Sequence, residues 1–334
     1  MPDGLTLPLL AVMALAVVFD YINGFHDTAN AIATSVATRA LRPQYAILMA
    51  ASFNFIGAFA GTAVAKTVGA GLVDERTTTQ AVVAAALLGA ITWNLITWRW
   101  GIPSSSSHGL IGGLAGATIV ASGTGALKLD GLVYKVLVPL VSSPLIGFAG
   151  AFALMVCLYW VFQGAERRML ARRFRRLQVI SAGYMAFSHG SNDAQKTMGI
   201  ITLALVSAGL LDSVEVPWWV IIMAATAISL GTAIGGWRIM KTMGHRVVEL
   251  EPIHGFAAET TAATVLITTA HLGMPVSTTH VISSAIMGVG SSKGPRGVRW
   301  GVARNIVVAW IVTIPAAGLV GALAWYALEA VGMR

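Results

Sequence analysis

The sequence is poor in cysteine and in charged residues. Cys157 is the only cysteine among 334 residues, which excludes an intramolecular disulfide and a cysteine-based metal site. Only 11% of the residues are charged, whereas 56% are hydrophobic, and the mean hydropathy is +0.75. Soluble domains carry about 25% charged residues. The composition therefore argues against a soluble fold and predicts an integral membrane protein.

Two motifs that would indicate other functions are also missing. The chain contains no Gly-x-x-x-x-Gly-Lys-Ser/Thr loop, so we expect no ATP-driven pump in this chain alone. It has no His-Glu-x-x-His metal motif, and this absence argues against a membrane-embedded hydrolase, the alternative that would use Ser, His and Asp. We therefore expect no enzymatic activity and no cofactor. Energy for any transport must come from an ion gradient or a partner.

Ten apolar segments run along the chain, five on each side of an arginine-rich stretch. Long apolar runs without period-two alternation indicate helices rather than a β-barrel. We therefore predict an all-α integral membrane protein with an N-terminal membrane repeat (1–163), a basic cytoplasmic loop (164–177) and a C-terminal membrane repeat (178–334). The segments are 7–40, 44–72, 78–98, 103–126, 132–162, 178–210, 216–237, 254–272, 275–292 and 302–331.

Basic residues are distributed unequally between the two sides that these segments define. If every segment crosses the membrane, 16 of the 22 basic residues fall on one side and 4 on the other, with Arg76 and Arg334 among the four. The positive-inside rule places the richer side in the cytoplasm and both termini outside. Five segments per half is an odd number, so the second half enters from the opposite side. The sequence thus predicts two repeats with inverted topology in a cell inner (plasma) membrane.

The first residues and the net charge fit the same interpretation. Residues 1–8 contain no Lys or Arg, so we expect the first apolar run to be a retained span rather than a cleaved signal. The net charge of +8 and the pI near 10.0 do not indicate a nucleic-acid partner, because most basic residues flank the membrane on one side. The lipid bilayer is the expected partner, and a homodimer is a further possibility.

A polar motif lies near the middle of the first apolar segment of each half. Residues 24–30 read Gly-Phe-His-Asp-Thr-Ala-Asn, and residues 190–196 read Gly-Ser-Asn-Asp-Ala-Gln-Lys. Asp27 and Asp193 are 166 positions apart. Acidic groups inside membrane segments are costly and are functional by default. We therefore expect the two aspartates to belong to one duplicated site.

A second motif, rich in hydroxyl groups, also occurs twice. Residues 103–108 read Pro-Ser-Ser-Ser-Ser-His and residues 275–280 read Pro-Val-Ser-Thr-Thr-His, at an offset of 172. Each lies between two apolar segments that either cross the membrane twice or form a re-entrant hairpin. Arg99, which lies between two tryptophans, favours an interface over a buried hairpin tip.

The hydroxyl motifs are typical of helix N-termini, where proline is tolerated and hydroxyl groups cap free amides. Such an end carries partial positive charge and directs N–H groups at an anion. Two inverted copies would bring two such ends together. The arrangement suits a tetrahedral oxyanion, with the two aspartates suited to cations that travel with it.

These four motifs resemble the signatures of the PiT-type inorganic phosphate transporters, and the similarity covers essentially the whole chain. The resemblance implies symport of phosphate, driven by sodium in some members and by protons in others, often as a divalent metal-phosphate complex. It also implies discontinuous helices and re-entrant helical hairpins that carry the hydroxyl motifs. We predict phosphate-binding residues Ser105, Ser106, Ser107, Ser277, Thr278, Thr279, Gln195 and Lys196, and coupling-ion residues His26, Asp27, Asn30, Asn192 and Asp193.

The chain departs from the family's Gly-x-Asn-Asp-x-x-Asn pattern at His26 and Lys196. Both departures replace amide oxygens that suit sodium with nitrogen. Sodium, if bound, would lie near Asp27 and Asp193, but we expect proton coupling instead. We predict a secondary active symporter that imports inorganic phosphate, driven by a proton or sodium gradient. A sulfate permease on the same scaffold is the alternative.

Overall fold

The computed structural model describes residues 6–74 and 77–333, and these residues form twelve α-helices and no β-strand. The all-α prediction is confirmed. Arg76, Arg334 and the first five residues of the chain, which precede the proposed retained span, lie outside the described residues. The helices are α1 (Leu7–Ala37), α2 (Pro43–Gly57), α3 (Ala63–Ala70), α4 (Gln80–Trp100), α5 (Ser106–Ser122), α6 (Val138–Val161), α7 (Arg167–Ser207), α8 (Trp218–Ile234), α9 (Trp237–Lys241), α10 (Pro252–His271), α11 (Thr278–Ser291) and α12 (Trp300–Ala330).

Four helices in the described ranges are long and apolar enough to cross a membrane. They are α1, α4, α12, and α6 together with the π-helical turn Gly131–Leu137 that precedes it. A fifth span is formed if α8 and the segment Trp237–Arg246, bent by 60° relative to it, are taken as one broken helix. A hydrocarbon core of about 30 Å requires about 20 helical residues, and these elements meet that length.

Two segments differ from the sequence expectation. The basic stretch predicted as a loop is helical from Arg167 onwards, so it forms the first turns of α7, which continues to Ser207. At 1.5 Å per residue this helix of 41 residues is about 60 Å long. The segment predicted at 44–72 is divided into α2 and α3.

Helices of the first half pack in pairs against helices of the second half. The first helix of each half contacts the second helix of the other, α1 with α8 and α7 with α2. Likewise α5 contacts α12 and α11 contacts α6. Thr38 Oγ1, just beyond the end of α1, donates to Gln178 Oε1 of α7 at 2.7 Å, and carboxylate oxygens of Asp27 and Asp193 lie within 4.8 Å of each other. Residue numbers therefore increase along α1 in the direction in which they decrease along α7, so these two helices run in opposite directions. The inverted relationship of the complete halves stays a prediction.

Gly24 and Gly190, the first residues of the two aspartate motifs, allow these helix pairs to pack closely. A Cβ on Gly24 would lie 2.3 Å from the backbone oxygen of Ile228 on α8. A Cβ on Gly190 would lie 2.2 Å from the backbone oxygen of Asn54 on α2. Only glycine allows the helix backbones to approach this closely, and small residues are typical of helix contacts in membranes. The glycines thereby fix where α1 and α7 carry their aspartates.

The turns of the hairpins α4–α5 and α10–α11 lie beside the middle of α1 and the middle of α7, respectively. Ser106, the first residue of α5, contacts Asp27 of α1, and Asp27 precedes the last residue of α1 by ten positions, about 15 Å. Thr278, the first residue of α11, contacts Asp193 inside α7. The first residues of α5 and α11 thus reach the aspartates inside α1 and α7, and re-entry of the two hairpins stays a prediction. At the first tip Arg238 of α9 stacks over Trp98, with its guanidinium carbon 5.2 Å from the ring centroid.

Candidate functional site

The site is built on one face of α1 and one face of α7. Asn23, Asp27, Asn30 and Thr34 recur at intervals of three or four residues and are all buried. This spacing places side chains on one side of a helix. On α7 the same spacing relates His189, Asp193 and Lys196.

Each aspartate accepts a hydrogen bond from the hairpin of its own half. Ser106 Oγ lies 2.6 Å from Asp27 Oδ2 and equally close to Asn23 Oδ1, so its proton can go to either acceptor. In the second half Thr278 Oγ1 lies 2.9 Å from Asp193 Oδ1 and 3.0 Å from Oδ2. Ser106 and Thr278 are related by the offset of 172 and the aspartates by 166. The duplication in the sequence is therefore also a duplication of contacts.

The next residue of each hairpin contacts the other half. Asn30 Nδ2 donates to Thr279 Oγ1 at 2.9 Å. Lys196, which corresponds to Asn30 in the second half, donates from Nζ to Ser107 Oγ. Ser107 and Thr279 again differ by 172 positions. Two equivalent bonds thus cross the interface, and they differ chiefly in that one donor is an amide and the other an ammonium.

The ammonium group of Lys196 is enclosed by oxygen atoms. Nζ contacts Asp193 Oδ1 and Ser107 Oγ, and it lies 3.1 Å from the backbone oxygen of Val276. Lys196 is 2% exposed and Asp193 is 0% exposed. A lysine has three N–H donors, and here they meet three acceptors. The carboxylate of the second half is therefore paired with a cation that belongs to the chain itself.

The carboxylate of the first half has an imidazole partner and, within the described residues, no ammonium or guanidinium partner. His26 Nδ1 lies 2.6 Å from Asp27 Oδ1, and His26 Nε2 lies 3.0 Å from Thr97 Oγ1 on α4. Ser104 donates to the same threonine oxygen at 2.8 Å. Asn192, the counterpart of His26, is buried, and neither its amide nitrogen nor its oxygen bonds to any part of the chain that the structure describes. The two halves are therefore alike in their hydroxyl contacts and unlike in their charged partners.

Three predicted residues serve structural roles in this conformation. Ser105 Oγ accepts from His108 N at 3.1 Å, and Ser277 Oγ accepts from His280 N at 3.2 Å, so both serines cap their helices. Gln195 does not join the other predicted phosphate ligands. Its Oε1 accepts from the backbone nitrogen of Val64 at 2.8 Å and thereby caps α3. In this conformation the Gln195 side chain lies at α3 rather than with the hydroxyl motifs, and its role in phosphate binding stays a prediction.

His189 is a site residue that the sequence interpretation missed. Its Nε2 lies 3.2 Å from Asp193 Oδ2, and one ligand atom each from Asp27, His189 and Asp193 lie within 4.8 Å of one another. Such a group can hold a proton, or a cation that accepts mixed nitrogen and oxygen ligands. The interval of four residues before Asp193 was the signal available, because it places both side chains on one helix face. Asn23, four residues before Asp27, was missed in the same way, whereas Thr97 lies on α4 and no local spacing indicates its contact with His26.

Another buried carboxylate, that of Glu259 on α10, lies beside the C-terminal part of α1. Glu259 of α10 accepts hydrogen bonds from Thr34 Oγ1, from Ser181 Oγ at 2.5 Å and from Gln178 Nε2 at 3.1 Å. No lysine or arginine pairs with it within the described residues. The corresponding position of the first half is Leu87, so this network has no duplicate.

The sequence is similar to those of known proteins. Residues 23–321 match a family described as the phosphate transporter family. A probable low-affinity inorganic phosphate transporter of Rhizobium meliloti is 50% identical over 334 residues, which cover 99% of this chain and 100% of that protein. The protein of the same description from Bacillus subtilis is 46% identical over 330 residues, covering 98% and 99% of the two chains.

The fold also matches a solved structure. That structure, described as a sodium-dependent phosphate transporter, superposes with a TM-score of 0.90 and covers 98% of this chain and 100% of its own. The two sequences are 24% identical, so this likeness concerns the fold.

Proposed function

This chain belongs to the phosphate transporter family, and we propose that it is a secondary active symporter that imports inorganic phosphate together with protons. It is a multi-pass membrane protein. We place it in the plasma membrane with both termini outside, as the distribution of basic residues favours. The choice of protons over sodium rests on a single observation, which is that the Lys196 ammonium group contacts three oxygen atoms beside Asp193.

The phosphate site in this proposal lies between the N-terminal ends of α5 and α11. Ser106, Ser107, Thr278 and Thr279 supply hydroxyl groups there, and Lys196 supplies a positive charge. Each hydroxyl now bonds to an aspartate, an asparagine or the lysine. Phosphate binding would exchange these internal bonds for bonds to phosphate oxygens. The helix ends would add backbone N–H groups and partial positive charge.

Lys196 occupies the position that a coupling cation would need. A sodium ion beside Asp193 would require oxygen ligands, and three of the available oxygens already accept from the ammonium group. Protons can instead be exchanged at His26 and His189, the two imidazoles that lie beside the aspartates. The group Asp27, His189 and Asp193 is also where a divalent metal would lie if phosphate were carried as a metal complex.

The coupling ion is tested by uptake of labelled phosphate into proteoliposomes. We expect an imposed pH gradient to drive uptake in sodium-free buffer, and a sodium gradient at equal pH to add little. In Lys196→Asn the three oxygens become free for a metal ion, and we expect the response to sodium to increase. Lys66→Asn, which removes an exposed lysine from α3, is the matched control and should behave as the wild type.

Two results would contradict this proposal. Wild-type uptake that requires sodium and ignores the pH gradient would show that Lys196 does not replace the cation. Loss of pH-driven uptake in Lys66→Asn would show that the assay reports lysine removal in general.

The substrate is tested by competition between anions. At neutral pH phosphate still carries at least one proton and can donate to a buried carboxylate, whereas sulfate carries none and is repelled. Sites that bond a substrate hydroxyl reject analogues that lack it by large factors. We therefore expect excess unlabelled phosphate, but not excess sulfate, to suppress uptake. Equal suppression by both anions would favour the sulfate permease instead.

A further inference from the structure

A groove of about 520 Å³ lies between the C-terminal end of α4 and the first half of α12. Its walls are largely apolar and include Trp93 of α4 and Val308 and Val312 of α12. Its other end is polar, with Asn305 and Arg246. The groove is therefore amphipathic along its length.

The apolar part lies on the lipid-facing side of the molecule. Val308 is 51% exposed and Val312 is 42% exposed, on a helix apolar enough to span the membrane. The lining positions of α12 run from Val302 to Val312, ten residues or about 15 Å. This is half of a hydrocarbon core of about 30 Å. The groove thus has the depth of one leaflet.

The polar end carries an uncompensated positive charge. Arg246 is exposed and has no hydrogen bond or ion pair with any residue in 6–74 or 77–333. The lining contains no aspartate or glutamate. Trp100 lies at the same end and is 70% exposed, as expected for a side chain at the membrane interface. Positive charge at one end and apolar walls of leaflet depth match a lipid with an anionic headgroup.

We propose that this groove binds one anionic phospholipid from the leaflet on the arginine-rich side. Its headgroup phosphate pairs with Arg246, and one acyl chain lies along Val308 and Val312 against Trp93. Anionic lipids are abundant in the cytoplasmic leaflet, where each nearby basic residue strengthens binding.

The lipid would also contact the hairpin that carries the hydroxyl motif. Thr97 and Pro103 line the groove, and Thr97 Oγ1 lies 3.0 Å from His26 Nε2. Pro103 directly precedes Ser104, which donates to Thr97. Occupancy of the groove therefore supports the tip of the first hairpin from the membrane side.

The test measures lipid binding to the purified full-length protein in detergent, without reference to transport. Native mass spectrometry would follow titration with phosphatidylglycerol, phosphatidylcholine and diacylglycerol of identical chains. We expect tightest binding of phosphatidylglycerol, and a loss of about fivefold in Arg246→Gln. Arg296→Gln removes an exposed arginine that does not line the groove and should keep the wild-type affinity.

A second pair of variants tests the apolar part. Ala309→Trp places a bulky side chain in the groove and should reduce binding of all three lipids. Val307→Trp adds the same side chain to an exposed position of α12 outside the groove and should not.

Three outcomes would overturn the proposal. Equal losses in Arg246→Gln and Arg296→Gln would indicate diffuse attraction to basic residues. Diacylglycerol binding as tightly as phosphatidylglycerol would remove the role of the headgroup. Displacement of the bound lipid by millimolar inorganic phosphate would identify the groove as a site for the free anion.

Discussion

The pairing of Asp193 with Lys196 makes a sharp prediction about stability. In Asp193→Asn the ammonium group loses its negative partner but remains buried, with Lys196 only 2% exposed. Removal of one partner from a buried ion pair costs about 3–5 kcal/mol, because the remaining charge is neither hydrated nor paired. Asp193→Asn should therefore lower the free energy of unfolding by roughly that amount.

The other aspartate provides a matched comparison. Asp27 bonds to the hydroxyl of Ser106 and to the imidazole of His26, and no lysine or arginine pairs with it within the described residues. In Asp27→Asn a hydrogen bond is weakened but no fixed charge is stranded. Loss of such bonds costs about 1–3 kcal/mol. The two substitutions are equivalent in sequence terms, and the structure makes them unequal.

Equilibrium unfolding in mixed micelles would measure the free energy of unfolding of the two single variants and of one double variant. We expect Asp193→Asn to be clearly less stable than Asp27→Asn. The double variant Asp193→Asn with Lys196→Met should recover most of the loss, because it leaves no unpaired buried charge. All three should lose phosphate uptake, so stability is the informative readout. The reasoning fails if Asp193→Asn costs no more than Asp27→Asn, or if Lys196→Met gives no recovery.

Two further predictions concern helix packing and capping. Gly24→Ala and Gly190→Ala should each destabilise the fold by about 1–3 kcal/mol, because the new Cβ would lie 2.3 or 2.2 Å from a backbone oxygen of the neighbouring helix. Gly183→Ala is the control in the same assay and should be tolerated, since its Cβ would be 3.5 Å from an aromatic side chain. Gln195→Ala should cost about 0.5–2 kcal/mol by uncapping α3 and leave the KM for phosphate unchanged. An increase in that KM would restore Gln195 to the phosphate site.

The position of Gln195 relative to Asp193 on α7 could be predicted from the sequence. Successive residues of an α-helix are rotated by about 100°, so Gln195 lies about 200° from Asp193 and on another face. His189, four residues before Asp193, shares its face. Helical periodicity alone therefore places His189, rather than Gln195, on the face of α7 that carries Asp193. Periodicity does not predict that the Gln195 side chain bonds to the start of α3, because α3 is remote from Gln195 in sequence.

The sequence by itself determined the class and the duplication. Low charge and long apolar runs require a helical membrane protein, since backbone groups in lipid must bond within their own segment. The two offsets, 166 and 172, identify which residues of the halves correspond. They also brought out the aspartates and the hydroxyl runs as one site, and the family resemblance is confirmed by the comparisons.

Only the tertiary structure decided how the corresponding residues are paired. An offset relates Asn30 to Lys196 and Ser107 to Thr279, but it does not say whether each bonds within its own half or across the interface. The bonds from Asn30 to Thr279 and from Lys196 to Ser107 cross the interface, whereas the hydroxyl bonds of the aspartates stay within each half. The close contacts of α1 with α8 and of α7 with α2 set this pattern, because they fix the relative position of the two long helices. That packing brings together side chains separated by as many as 249 positions, and such pairs cannot be predicted from local sequence.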